Sequence, residues 1–240
     1  FLASLVIENV MGSILLSIFS NSYSMDTGEI VWNNKLIRML YNFLFLIIVV
    51  ATTEELTKIL PAFFIKEDER KMETTKFDYI IPFLIVGITF SIVEDIKYII
   101  EDSNTGIWRL LTVFIGHPFW AILIGNGYYN YKVREKSNSI YYKIRNEYPS
   151  FATKWLSLDD IEYFIKICIM VIAIHGIYDY SLITIPILGI IILVLSFVIF
   201  IIYMIKLKNT DIKEDCIKEM RKIFKDLSDE EIKQIVEEKW

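Results

Sequence analysis

Residues 181–205 read SLITIPILGIIILVLSFVIFIIYMI, twenty-five positions without an Asp, Glu, Lys or Arg. A bilayer core takes about 20 apolar residues as helix, and a soluble domain has no place for a helix that is apolar on every face. Outward from this run, apolar stretches recur at 2–20, 36–65, 78–100, 107–131 and 161–181, with the run itself in a sixth at 182–206. The pattern predicts an all-α, polytopic transmembrane helical bundle of about six spans, multi-pass in the cell membrane.

Composition is compatible but does not decide. Of the 240 residues 54% are apolar or aromatic and 23% charged, with a mean hydropathy of +0.44; a rich globular core also meets those totals, so their distribution carries the reading. A net charge of −5 argues against nucleic acid as a partner. The lipid bilayer is the partner these spans demand. Cys168 lies in an apolar run and Cys216 in a charged one, which makes neither a disulfide framework nor a zinc cluster. The chain begins at Phe1 rather than Met, which predicts further sequence upstream and leaves no signal peptide to identify.

Lys and Arg are partitioned between the connectors. Segments 21–34 and 101–106 hold none; 66–77 holds four, 132–160 six, and the chain from 206 onward nine. The bias alternates through all six spans, so the positive-inside rule predicts that 66–77, 132–160 and the C-terminal tail are cytoplasmic. The connectors NSYSMDTGE and EDSNTG have turn chemistry, and Ser157 with Asp160 forms an N-cap pattern for the fifth span. Two units are expected: a transmembrane domain at 1–206 and a charged helical tail at 207–240. In the tail Ile217, Met220, Ile223, Phe224 and Leu227 fall at helical spacing, and Ser228 with Glu231 makes a capping box before IKQIVEEKW. A helical hairpin is expected there.

The informative residues are the charges inside the apolar stretches, where each costs about 2.5–3.5 kcal/mol or more. The second stretch carries Glu54, Glu55 and Lys58, the third Glu94, Asp95 and Lys97, the fourth His117, and the fifth His175 and Asp179. Both histidines of the chain are in this set. At about 1.5 Å per residue, Glu54 lies about 18 Å from the cytoplasmic end of its helix, Glu94 about 24 Å, and His117 and His175 about 21 Å. Unrelated charges would scatter in depth; these converge near mid-membrane. Glu54 and Lys58 stand one turn apart and can pair, as do His175 and Asp179, while Phe90 stacks over Glu94. Glu55 points about 100° from Glu54, so one faces a cavity and the other braces a neighbouring helix. Lys97, Arg109 and Lys166 near helix ends read as snorkelling or structural pairs. Asp95 reads as a cap or as facing outer water, and Glu8 with Asn9 as structural.

Four ordered boxes then resemble the PrsW family of intramembrane proteases, within the superfamily of CAAX-prenyl endopeptidases. They are Glu54-Glu55-Leu-Thr-Lys58, Phe90-Ser-Ile-Val-Glu94, His117-Pro-Phe-Trp120 and His175-Gly-Ile-Tyr-Asp179. Members often carry Glu and Asn where this chain has Ser91 and Asp95, and they usually have a further helix upstream. The resemblance implies an intramembrane endopeptidase that cuts a membrane-anchored protein, with an anti-sigma factor as the best-known kind of substrate.

Peptide hydrolysis needs an activated water and a stabilised oxyanion. Glu54 and Glu55 are the best bases, with Glu94, His117 and His175 assisting and Lys58, Asp179 and Phe90 in support. Cys168 shares a helix with His175 but has no other sign of a nucleophile. Glutamate with two histidines also suits a catalytic zinc, drawn from Glu55, Glu94, His117 and His175. The cofactor reading is therefore none or Zn. The balance leans to metal-free glutamate chemistry on two grounds: an ion forces three helices to converge, and Lys58 opposes a dication. A proton- or cation-coupled transporter is the first alternative, although no internal repeat supports it. A non-catalytic scaffold or immunity-type membrane protein is the second, although every key side chain is present.

Overall fold

The computed structural model describes residues 2–26, 29–60, 75–102, 114–147, 159–225 and 227–240. In chain order these form α1 (Leu2–Ile18), a hairpin of β1 (Tyr23–Asp26) and β2 (Glu29–Trp32), α2 (Lys35–Lys58) and α3 (Lys76–Glu101). There follow α4 (Gly116–Glu147), α5 (Asp159–Thr184), α6 (Pro186–Lys206), α7 (Ile212–Ile223) and α8 (Asp229–Lys239). The architecture is helical, as expected. Among the described residues α2, α3, α5 and α6 are long and apolar enough to cross a membrane, and Ser4–Ile18 is a shorter apolar helix. The start of the fourth predicted span lies outside the described residues, as do Arg109, most of the connector 66–77, and the Ser157 cap.

Local chemistry sets the helix ends. Asn34 caps α2 by accepting from the Leu36 N–H at 2.7 Å. The Asp78 carboxylate accepts from the Thr75 N–H at 2.7 Å to open α3. Pro186 sits in the first turn of α6, where its missing N–H costs nothing. Residues Phe45–Ala51 of α2 wind as a π segment, one residue per turn looser than the α-helix on either side.

The helices pack around α4. Its most extensive neighbour is α3, followed by α5, which in turn packs on the π segment of α2 and on α6. Phe83 from α3, Phe119, Trp120, Ala121 and Ile124 from α4, and Cys168, Val171 and Tyr178 from α5 share one buried cluster. Gly87 makes the α3–α4 approach possible, because a Cβ there would lie 2.6 Å from Ala121 Cβ and 2.8 Å from the His117 carbonyl oxygen. Helix α6 keeps its apolar faces exposed, with Gly189 its one fully buried residue. An apolar surface of that kind suits lipid.

Two expectations are corrected. The connector 21–34 is not all turn: Tyr23 pairs with Trp32 across an antiparallel ladder, and Trp32 packs on Tyr41 at 4.8 Å between ring centroids. Strand-forming Ile30, Val31 and Trp32 supply that ladder, and the turn residues had hidden them. Nor does helix end at 131. Helix α4 runs on to Glu147 because Ile140, Tyr141 and Ile144 form an apolar stripe buried against Met220, Phe224, Ile232 and Val236 of the tail.

The tail is a helical hairpin, as expected, with the Ser228–Glu231 capping box in place. It also fastens to the bundle. The Lys76 N–H donates to the Thr210 carbonyl at 2.8 Å, the Phe77 N–H to Asn209 Oδ1 at 3.1 Å, and the Tyr129 hydroxyl to Asp215 Oδ2 at 2.7 Å. These bonds satisfy orphan donors at the first turn of α3 and tie it to α4.

Candidate active site

The four boxes meet in one place. Glu54, Glu55 and Lys58 come from α2, Phe90 and Glu94 from α3, His117 from α4, and His175 and Asp179 from α5, and the five predicted catalytic residues and Lys58 are all buried. Depth along separate helices is thus depth at one buried point. Burial beside partners is what makes such charges tolerable at all.

Lys58 organises the centre. Its Nζ donates to Glu55 Oε1 at 2.5 Å and to His117 Nδ1 at 2.8 Å. It also lies 5.1 Å over the Phe90 ring and 5.4 Å over the Trp120 ring, which explains the aromatic residue of the third-span box. The sequence pairing of Lys58 with Glu54 is therefore corrected, because the helix turns Glu54 away and brings Glu55 over at i,i+3. With Nδ1 of His117 accepting from Lys58, its Nε2–H donates to Glu94 Oε2 at 2.8 Å.

Glu55 is the brace. Besides Lys58, its Oε1 accepts from His175 Nδ1 at 2.7 Å, which fixes the ring and directs Nε2 toward Asp179 and Glu54. That Nε2 stands 3.2 Å from Asp179 Oδ2 and 3.7 Å from Glu54 Oε2. Glu54 Oε2 and Glu55 Oε2 are both buried without a hydrogen bond, but Oε1 of Glu55 holds both Lys58 and His175, which leaves Glu54 the less engaged carboxylate. A lone-pair nitrogen facing two carboxylate oxygens is repulsive; the arrangement calls for a second ring proton or a cation between them.

The remaining expectations sort as follows. Lys97 with Glu101 at 3.9 Å and Lys166 with Glu162 at 2.6 Å are partly exposed structural pairs. Cys168 belongs to the apolar cluster. Asp95 is corrected: it is 1% exposed and faces the interior instead of outer water. Glu8 is structural, as expected. Its Oε1 accepts from Ser4 Oγ and from Thr53 Oγ1 at 3.2 Å, fastening α1 to the residue before Glu54.

Sequence reasoning missed two positioning features. The π segment ends three residues before Glu54, and such segments recur at functional sites, but seven apolar residues carry no signal for it. Gly176, beside His175, lets α5 ride against that segment; a Cβ there would stand 2.5 Å from Ile47 Cγ1 and 2.8 Å from Ile47 Cα. Its place in the fourth box was the available sign.

Glu54, His117 and His175 each offer a ligand atom within 4.8 Å of the others. Ligands on one zinc-type ion at about 2.0–2.2 Å lie within roughly 4 Å of each other, so donor type and spacing both fit with a small adjustment. The first ground against an ion falls, because the three helices do converge. Lys58 stays beside the cluster, paired with Glu55 and donating to His117. The cluster takes Glu54 where sequence had proposed Glu55 and Glu94.

A helical membrane protein that gathers carboxylates and imidazoles from four helices at one buried point belongs, as a class, to the membrane-embedded enzymes. Residues 2–205 match the PrsW family intramembrane metalloproteases, and the chain belongs to that family. It is an intramembrane protease, a hydrolase whose substrate is a membrane protein in the bilayer. No curated protein and no solved structure matches the chain.

Proposed function

We propose that the chain cuts a peptide bond of a membrane-anchored protein at the point where Glu54, His117 and His175 meet. The observation that carries this is the buried convergence of those three side chains within 4.8 Å, with one Glu54 oxygen unpartnered. Water seated there gives its proton to Glu54, which passes it to the leaving nitrogen. His175 is oriented by Glu55 and Asp179 and its Nε2 stabilises the oxyanion, while His117, bonded at both ring nitrogens, is held in place by Lys58 and Glu94. The same three side chains would hold a zinc-type ion, which when bound supplies Lewis-acid polarisation and an acidified water. Glu55 then serves as the outer support of His175, a carboxylate–histidine arrangement common at metal sites.

Six spans, with 66–77, 132–160 and the tail on the cytoplasmic side, remain the orientation that the charge bias supports. An anti-sigma-factor-like protein is the substrate class to try first, from the resemblance of the four boxes. Protein purified in detergent and given single-span peptides should release a product cut within the apolar segment, and Glu54→Gln should not. Equal cleavage by the variant would overturn the assignment.

A further inference from the structure

Trp120 belongs to the third box, yet no step above uses it. Its ring lies almost parallel to His175, with centroids 4.1 Å apart at 28°, and meets His117 edge-on at 5.3 Å and 89°. Lys58 lies over its face at 5.4 Å. The side chain, 2% exposed, therefore touches all three cationic or imidazole groups of the site. Position i+3 from His117 puts both on one face of α4.

Its Nε1–H is buried and makes no hydrogen bond among the described residues. Buried indole N–H groups usually find a partner, and leaving one unmade costs the desolvation of that donor. A phenylalanine would fill the same apolar cluster and stack on the same imidazole without that cost. An unsatisfied donor beside a hydrolytic centre is explained if its acceptor arrives with the substrate.

We propose that the Trp120 indole N–H donates a hydrogen bond to the scissile carbonyl oxygen and holds the oxyanion that forms there. As the water oxygen bonds to the carbonyl carbon, the C=O π pair moves onto that oxygen, and Glu54 takes the water proton. When the C–N bond breaks, the pair returns to rebuild C=O and the proton leaves on the nitrogen. The indole keeps its own proton throughout, so its contribution is electrostatic, largest where the charge is greatest. This assignment rests on the protease reading of the same site.

The test separates the N–H from the ring. Trp120 is replaced by Phe and, to conserve shape, by 3-benzothienylalanine, which carries sulfur in place of the N–H. Removing one oxyanion donor lowers kcat by roughly 100- to 1000-fold, so both variants should lose that much with KM unchanged. Full activity in the benzothienyl variant would reduce Trp120 to a packing residue and overturn the proposal. A second readout does not depend on turnover. In protein labelled with 15N-tryptophan, the indole signal absent from Trp120→Phe should move downfield when a Leu/Ala-rich single-span peptide carrying an Ala–Ala phosphinate is added. An unmoved signal overturns the contact. A moved signal in protein that fails to cut the parent peptide upholds the contact and counts against the protease reading.

Discussion

Lys58 Nζ stands 2.5 Å from Glu55 Oε1, with both side chains fully buried, and the same Oε1 accepts from His175 at 2.7 Å. One carboxylate oxygen thus joins α2 to α5 and holds the cation that reaches His117 on α4. Glu55 Oε1 is spent on this junction, and Glu54 is the less engaged of the two acids. The division of labour between two adjacent glutamates comes from which one the ammonium reaches.

Breaking that junction should be costly. Removing one partner of a buried pair typically costs about 3–5 kcal/mol, so Lys58→Met should lower the unfolding midpoint sharply in detergent. Combining it with Glu55→Gln should cost less than the sum, since the second change removes the stranded charge. Strict additivity would show that the two residues do not anchor one another.

The two glutamates should fail differently. With metal removed by a chelator, Glu54→Gln should melt near the unaltered protein, and it should lower kcat by roughly 100- to 10,000-fold, the usual worth of a positioned base. Glu55→Gln should lower both activity and the melting temperature, because its carboxylate supports His175 and Lys58. Identical stability in both variants would contradict the brace.

Metal content gives a third measurement. Purified active protein should contain close to one zinc-type ion per chain, and a strong chelator should abolish cleavage that added zinc restores. Glu54→Gln, His117→Ala and His175→Ala should each lower the metal content. Metal-free protein that still cuts would return the site to glutamate chemistry alone.

Gly176 tests how tightly the site is set. Gly176→Ala drives a methyl to 2.8 Å from Ile47 Cα, a backbone atom that cannot turn aside. Overpacking of this kind costs about 1–3 kcal/mol and should displace His175 from Glu55. Ile47→Ala should not rescue it, because the backbone contact persists. Normal activity in Gly176→Ala would mean that the crossing of α5 and α2 tolerates a wider gap.

The tail carries a pH signature. Burial alone would raise the carboxyl of Asp215, but hydrogen bonds from Lys218, Thr210 and Tyr129 outweigh it and hold the group below the ordinary aspartate range. A depressed folded-state value means its stabilisation is complete above the unfolded value of about 3.9 and is lost as pH falls through the folded one. Amide exchange in α7 should accelerate in that acid window, and Asp215→Asn should show faster exchange at neutral pH with a flatter acid response. An unchanged acid response in the variant would assign the effect elsewhere.

The chain alone determined that it is a helical membrane protein, because a run such as 181–205 has one favourable environment and each backbone group must be satisfied within its own helix. It also singled out the charged residues that the fold brings together, since buried charge in a membrane is too expensive to keep without a partner. The boxes around Glu54, Glu94, His117 and His175 could be read on that ground. Pairing was another matter. Lys58 shares its helix with both glutamates, so whether it meets Glu54 or Glu55 depends on the rotamers that His117 and His175 impose from α4 and α5. The extension of α4 to Glu147 and the grip of the tail on it also depended on partners more than 70 residues away in the chain. Periodicity within one helix reports a face and a depth; the neighbour that the face meets is decided only when several helices pack at once.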